Sequence, residues 1–381
     1  MLNSINKLSI IGAGQIGPDI LLHFSKMLSG KETQLVLLDV SETALMNAQK
    51  KIEKKIAKGM ELSLFKPEQA EAMKNGIEYS LDYADISGSD LVLEAVTESE
   101  PIKDSIFRKV EESCGENTIF LSNSSHMQPE VLFKNIKNKS RCLVAHYFFP
   151  ADRNPVVELI PSSETDTALV ERLFEFYKVI GKVPIVVKSS YGYAIDPIFE
   201  GLCQTAVMCL EKGWGNEKQI DKVACETLGL GVGPFTALNL TGGNPITAHG
   251  LDEMGQKLMT WFKTPARLHE VITNKTNWNI AIRDEIVEIP ADLYVKLKDE
   301  FLGTYFSLAS FIIDLEITNI NDLDKSCKMA LSVKAPFTFM NEFGMANALD
   351  IVKKFHKEHP SFNIPSSLET AANEGGWKIG Q

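Results

Sequence analysis

Two regimes of apolar spacing divide the chain. From residue 7 to residue 188 short β-type runs alternate with stretches of helical spacing, and beyond Lys188 the helical spacing takes over. The runs "KLSII" (7–11), "TQLVLLDV" (33–40), "DLVLEAV" (90–96), "TIFLSN" (118–123), "RCLVAHYF" (141–148), "VVELI" (156–160) and "VPIVV" (183–187) predict strands, and "DILLHFSKML" (19–28) predicts a helix. Strands alternating in this way with helices predict an α/β, Rossmann-type doubly wound sheet.

The second regime compares with itself. "IDKVACETLGLGVGPFTALNLTGG" (220–243) parallels "LDKSCKMALSVKAPFTFMNEFG" (323–344), and Pro336-Phe337-Thr338 lies 102 positions past Pro234-Phe235-Thr236. An all-α domain of two tandem helical repeats is expected, each burying its apolar face on the other. The expected domains are residues 1–188, 189–287 and 288–381.

Composition narrows the class. At 381 residues the chain is long enough for two or three domains, and 44% hydrophobic with 23% charged residues is ordinary for a globular protein. A net charge of −11 argues against nucleic acid or an anionic membrane as the partner. The six cysteines form no C-x-x-C pair, which points to a reduced setting, and no metal site is expected; His356 and His359 in "FHKEHP" read as a solvated helix end. Neither a secretion leader nor a membrane span is apparent, and the expected location is the cytoplasm.

Chemistry enters at "GAGQIG", where a strand passes through a glycine turn into a helix. A dinucleotide pyrophosphate needs that order. Gly12 permits the tight turn, Gly14 lets backbone N–H groups reach the phosphates, Gly17 lets helix and strand pack closely, and Gln15 and Ile16 complete the loop at the helix N-terminus. The second predicted strand ends on Asp39, 22 positions past Gly17, where an acid can accept from both ribose hydroxyls. An acid there repels a 2′-phosphate and no arginine immediately follows, so NAD is favoured over NADP. Farther on, Lys50, Lys54 and Lys58 recur at i, i+4 and i+8, with Lys51 and Lys55 alongside. This cationic face reads either as a solvated surface or as a site for a polyphosphate ligand.

A second candidate lies in "HYFFPADRNPVVELI" (146–160), where His146 precedes Glu158 by twelve positions in apolar company. In isolation such a pair reads as satisfied structural groups. Its context changes that reading. With "GAGQIG", "LVLEAVTESEPIKDSIF", "FLSNSSHM", "AHYFFPADRNPVVELI", "GKVPIVVKSSYGYAID" and "GVGPFTALNLTGG" in this order, the chain resembles the L-3-hydroxyacyl-CoA dehydrogenases over almost its whole length. The duplicated helical part looks like the arrangement in the family's multifunctional fatty-acid oxidation (β-oxidation) members, without their hydratase segment.

The resemblance implies an NAD cofactor, an acyl-CoA thioester substrate, and a catalytic group of Ser125, His146 and Glu158, with a turn role for Ser125 or the use of neighbouring Ser124 as the competing readings. It implies nicotinamide-ribose contacts from Glu98 and Asn123, and a Lys103 that approaches cofactor and substrate. It also brings the Lys50, Lys54 and Lys58 face near CoA phosphates. On this reading His146 removes the 3-hydroxyl proton as hydride leaves C3, and Glu158 orients the ring and stabilises its cation.

Departures from the family pattern fall close to that group. Phe149 stands where the family has an asparagine, and "GYAIDP" replaces G-F-x-x-N-R, so that Asp196 and Pro197 take the places of an asparagine and an arginine. An ionised carboxylate cannot donate as an amide does. The expectation is a dehydrogenase acting on a modified acyl chain, with Asp196 in the catalytic group. The alternatives are a dehydrogenase of free hydroxy acids and an NAD-binding protein that has lost catalysis. A second helical repeat in the same chain is compatible with a monomer, or with a homodimer formed through another face.

Overall fold

The computed structural model describes residues 5–29, 31 and 33–380, which divide into one unit ending at Ser189 and another beginning at Ser190. The first is built on eight strands, β1 (Lys7–Ile11), β2 (Gln34–Leu38), β3 (Ile77–Ser80), β4 (Leu91–Glu94), β5 (Ile119–Ser122), β6 (Cys142–Tyr147), β7 (Val156–Pro161) and β8 (Val183–Val186). Between them run α1 (Gly17–Leu28), α2 (Glu42–Glu61), α3 (Pro67–Asn75), α4 (Glu100–Ser113), α5 (Pro129–Leu132) and α6 (Thr167–Val179). The sheet order is β3-β2-β1-β4-β5-β6-β7-β8. Every pairing is parallel except that of β6 with β7.

Strands covered on both faces need unbroken apolar runs, and Leu35–Leu38 and Leu91–Leu93 are buried throughout. Helices α1, α2 and α6 close one side with Ile20, Phe24, Ile52, Ile56, Leu173 and Phe176. The strand order reverses on either side of β1, and such a switch point opens a crevice at the carboxyl ends of β1 and β4. The glycine loop, Asp39, the segment after Glu94, the segment after Ser122 and His146 all lie at that edge, because β1, β2, β4, β5 and β6 run the same way. One strand was not expected: "IEYS" of β3 is short and half polar, and it pairs with β2 at the sheet's edge.

The second unit is helical, with α7 (Asp196–Glu211), α8 (Glu217–Leu228), α9 (Pro234–Thr241), α10 (Asn244–Lys257), α11 (Ala266–Asn274), α12 (Ala291–Asp314), α13 (Ile320–Ala330), α14 (Pro336–Phe343), α15 (Met345–Glu358) and α16 (Ser366–Asn373). Helix α12 is buried continuously from Glu300 to Ser310 and packs on α7 and α8. The Thr205 and Thr304 hydroxyls meet at 2.8 Å between α7 and α12.

Asp221 accepts from the N–H groups of Phe235 (2.8 Å) and Thr236 (2.9 Å), and Asp324 accepts from those of Phe337 (2.7 Å) and Thr338 (3.1 Å). Each aspartate thereby satisfies the open start of a short helix. Likewise Asn239 clamps the backbone of Trp278, and Asn341 that of Trp377. The "FHKEHP" segment is not a solvated helix end: His359 is buried, its Nε2 lies 2.8 Å from Glu300, and Lys212 approaches the same carboxylate at 3.2 Å. No helix among the described residues is long and apolar enough to cross a membrane.

Candidate active site

The turn after β1 is shaped by three glycines with different constraints. Gly12 has φ +114°, and a Cβ there would lie 2.5 Å from Ala95 O. On Gly17 a Cβ would fall 2.0 Å from Gly12 O, so helix and strand touch through bare backbone. Around Gly14 a Cβ would meet no protein atom within 4 Å. The missing side chain at Gly14 therefore leaves space on the ligand side rather than easing a clash. Gln15 and Ile16 lead into α1, whose second residue is Pro18, tolerable in a first turn whose N–H groups lack helical partners.

Asp39 stands immediately after β2. Its Oδ2 accepts from Ala13 N at 2.7 Å and its Oδ1 from Ser41 N at 2.9 Å, so the carboxylate braces the glycine loop and the start of α2 together. Each oxygen keeps a further lone pair for a hydroxyl. The cradle fits the adenosine and pyrophosphate of NAD on three counts: the empty space at Gly14, the N-terminus of α1, and an acid where a 2′-phosphate would sit.

Behind the cradle runs a buried chain of charges. Glu94 ends β4 with its side chain 0% exposed, and its Oε1 accepts from Lys103 Nζ and Val96 N, both at 2.7 Å, while Oε2 accepts from Ser122 Oγ at 2.5 Å. Lys103, 1% exposed, also meets Glu98 Oε2 at 3.2 Å. Burial alone would raise the Glu98 carboxyl and lower the Lys103 ammonium. Lys103 and the Ser124 hydroxyl outweigh it for Glu98, and the two carboxylates outweigh it for Lys103, so both are held in their charged forms.

The "NSSH" segment hangs from this chain. Ser124 Oγ donates to Glu98 and accepts from Met127 N, so that hydroxyl is consumed internally. Ser125 is partly exposed and its hydroxyl makes no hydrogen bond among the described residues. Asn123 Oδ1 accepts from Tyr147 N at 2.9 Å, which ties the segment to the end of β6.

On that strand His146 stands opposite Glu158 of β7. Its Nδ1 lies 2.8 Å from Glu158 Oε2, both side chains are buried, and the Phe148 ring packs edge-on with centroids 4.6 Å apart. Glu158, Ser125, Asn123, Glu98, Lys103 and the glycine loop thus share one edge of the sheet with His146. Lys103 is sealed beneath it, in contact with Glu94 and Glu98.

The remaining candidates belong to other elements. Lys50, Lys54 and Lys58 are exposed on α2 and have no carboxylate within 4 Å among the described residues, whereas Lys51 and Lys55 on the same helix are ion-paired to Asp19. Asp196 belongs to the helical unit, where it opens α7 with Pro197 behind it. An acid and a proline are both favourable in a first helical turn. Phe149 projects with 42% of its surface exposed. Two residues of this edge escaped sequence reasoning, Glu94 and Ser122, and Ser124, the competing candidate to Ser125, is the serine bound to Glu98. The available signal was an acid ending the otherwise apolar run "LVLE".

Residues 7–190 match the NAD-binding domain of 3-hydroxyacyl-CoA dehydrogenases. Over 274 residues the chain is 28% identical to the fatty acid oxidation complex subunit alpha of Shewanella loihica, covering 71% of this chain and 38% of that protein. Over 241 residues it is 31% identical to a peroxisomal fatty acid beta-oxidation multifunctional protein of Arabidopsis thaliana, covering 62% of this chain and 32% of that one. The chain therefore spans well under half the length of these relatives. The crystal structure of 3-hydroxybutyryl-CoA dehydrogenase from Escherichia coli K12 superposes with TM-score 0.84 over 98% of this chain and 99% of its own, at 16% identity, a likeness of fold. Residues 7–190, just under half of the chain, therefore belong with the NAD-binding domains of the 3-hydroxyacyl-CoA dehydrogenases.

Proposed function

We propose that the chain oxidises a 3-hydroxyacyl-CoA reversibly to the 3-oxoacyl-CoA with NAD. The observation that carries this reading is the buried His146–Glu158 pair at the edge of the sheet that bears the glycine cradle. A hydrogen bond from Nδ1–H to the carboxylate leaves Nε2 with its lone pair, the nitrogen suited to take a hydroxyl proton. Glu158 then stabilises the imidazolium, and in the reverse direction that cation returns the proton. Ser125 holds the substrate oxygen near the base, a role left to it because Ser124 is engaged with Glu98. Glu98 and Asn123 present acceptor and amide groups to the nicotinamide ribose, and Lys103 fixes Glu98 from below. Bound NAD supplies the hydride acceptor.

Lys50, Lys54 and Lys58 form the exposed cationic face for the phosphates of CoA. Asp196 is assigned to recognition of a polar substituent on the acyl chain, where the family's amide would not serve. The helical unit is taken as two repeats, 189–287 and 288–381, supported by the paired Asp–Phe/Thr and Asn–Trp contacts. In assembly the chain is a monomer, or a homodimer joined away from the surface that the second repeat occupies.

A panel of 3-hydroxyacyl-CoA thioesters and the matching free acids, followed through the absorbance of reduced cofactor, tests substrate class and cofactor together. Thioesters are expected to react and free acids not. Asp196→Asn is expected to lose the substituted substrate. A gain on 3-hydroxybutyryl-CoA without loss on any other thioester contradicts the assignment of Asp196.

A further inference from the structure

Five residues outside the reacting group join the glycine loop to the loop between β6 and β7. Gln15 O accepts from Lys51 Nζ at 2.7 Å, and Lys51 lies 2.9 Å from Asp19 Oδ1. The same oxygen takes Lys55 Nζ at 2.8 Å, and Lys55 reaches on to Asp152 Oδ1 at 2.7 Å. Asp19 is 1% exposed, in the first turn of α1, and its Oδ2 has no hydrogen-bond partner among the described residues. Compensation of this buried charge therefore passes through Oδ1 and the two ammonium groups.

We infer that Asp19, Lys55 and Asp152 are positioning residues that couple the cofactor loop to the loop separating His146 from Glu158. That loop is gripped from a second side: Lys182 Nζ donates to Ala151 O at 2.6 Å and to Asn154 O at 2.7 Å. Lys55 holds the residue between those two carbonyls and ties it to the helix that opens at the phosphate cradle. None of the three residues contacts the catalytic pair. Their effect is on where the base stands, and a misplacement of the order of 1 Å in a reacting group costs roughly 10²-fold in rate.

The inference rests on the reading of His146 as the base, so its test includes a readout independent of turnover. Hydrogen exchange is measured with and without NADH in the wild type and in Asp152→Asn, a near-isosteric change. In the wild type NADH is expected to slow exchange in residues 12–17 and in 148–155. In Asp152→Asn protection of 12–17 persists while that of 148–155 falls roughly tenfold. On a reactive thioester, kcat is expected to fall roughly tenfold with KM for NAD within about twofold, and Lys55→Arg to recover part of what Lys55→Met loses. Absence of NADH protection at 148–155 in the wild type overturns the coupling. So does equal protection in Asp152→Asn, or a lower melting temperature with kcat unchanged. A wild type inactive on every thioester counts against the catalytic reading and leaves the exchange result to decide the coupling.

Discussion

His146 and Glu158 are Cα partners in the one antiparallel pairing among the described strands, and that opposition turns a separation of twelve residues into a 2.8 Å hydrogen bond. Directly opposed residues present their side chains on the same face of a sheet. Neither partner has to reach, and both are buried, so the ring is fixed by strand geometry rather than by a loop. Glu158→Gln keeps the shape but removes the charge that stabilises the imidazolium. It is expected to lower kcat by about 10²–10⁴ with little change in KM for NAD, measured by steady-state kinetics.

The chain Glu94–Lys103–Glu98 predicts a stability effect. Lys103→Met leaves two buried carboxylates facing each other without their cation, and the expected loss is about 3–5 kcal/mol by urea denaturation. A change below about 0.5 kcal/mol, the range of ordinary surface substitutions, contradicts the described network.

His23 sets an acid limit. On α1 its Nε2 lies 3.0 Å from Ile180 O, and burial, followed by the nearby Lys182 ammonium, pushes the imidazole from 6.5 down to about 3. The folded pKa is depressed, so between these values the unfolded chain binds a proton that the folded chain refuses. Stability contributed by the neutral ring is present above 6.5 and is lost as pH falls. Between pH 6.5 and 5 the loss is about 2 kcal/mol. His23→Gln retains a donor for Ile180 O and is expected to flatten that part of the urea-stability profile; an unchanged slope contradicts the assignment.

How much of this was legible in advance differs from residue to residue. The glycine turn, Asp39 and the seven more apolar strands follow from local spacing, because "GAGQIG" and an apolar run constrain backbone directly. The pairing of His146 with Glu158 was expected only through resemblance, since no local pattern reveals that two strands oppose each other. Glu94 read as a residue inside the strand "DLVLEAV", and its role depends on Lys103 and Ser122 arriving from other elements. The lysines of α2 were one face in sequence. Asp19 and Asp152 divide them into a paired inner set and an exposed outer set, which periodicity cannot foresee. His359 was misread for the same reason, its partner Glu300 lying 59 residues away.

The exposed set carries its own prediction. Reversing charge at Lys50, Lys54 and Lys58 is expected to raise KM for a CoA thioester by about tenfold or more, the equivalent of about 1.4 kcal/mol, while KM for NAD stays within about twofold. Parallel assays with the thioester and with NAD as varied substrate separate the two. Equal rises in both constants contradict a CoA role for this face.

The central claim is that the imidazole at position 146 transfers the substrate proton, and single-turnover formation of NADH by the wild type and by His146→Gln, from a 3-hydroxyacyl-CoA thioester that the wild type oxidises, tests it most directly. The account predicts a rate reduced by about 10²–10⁴ in the variant, with NADH still binding as in the wild type. A variant that forms NADH at the wild-type rate contradicts it.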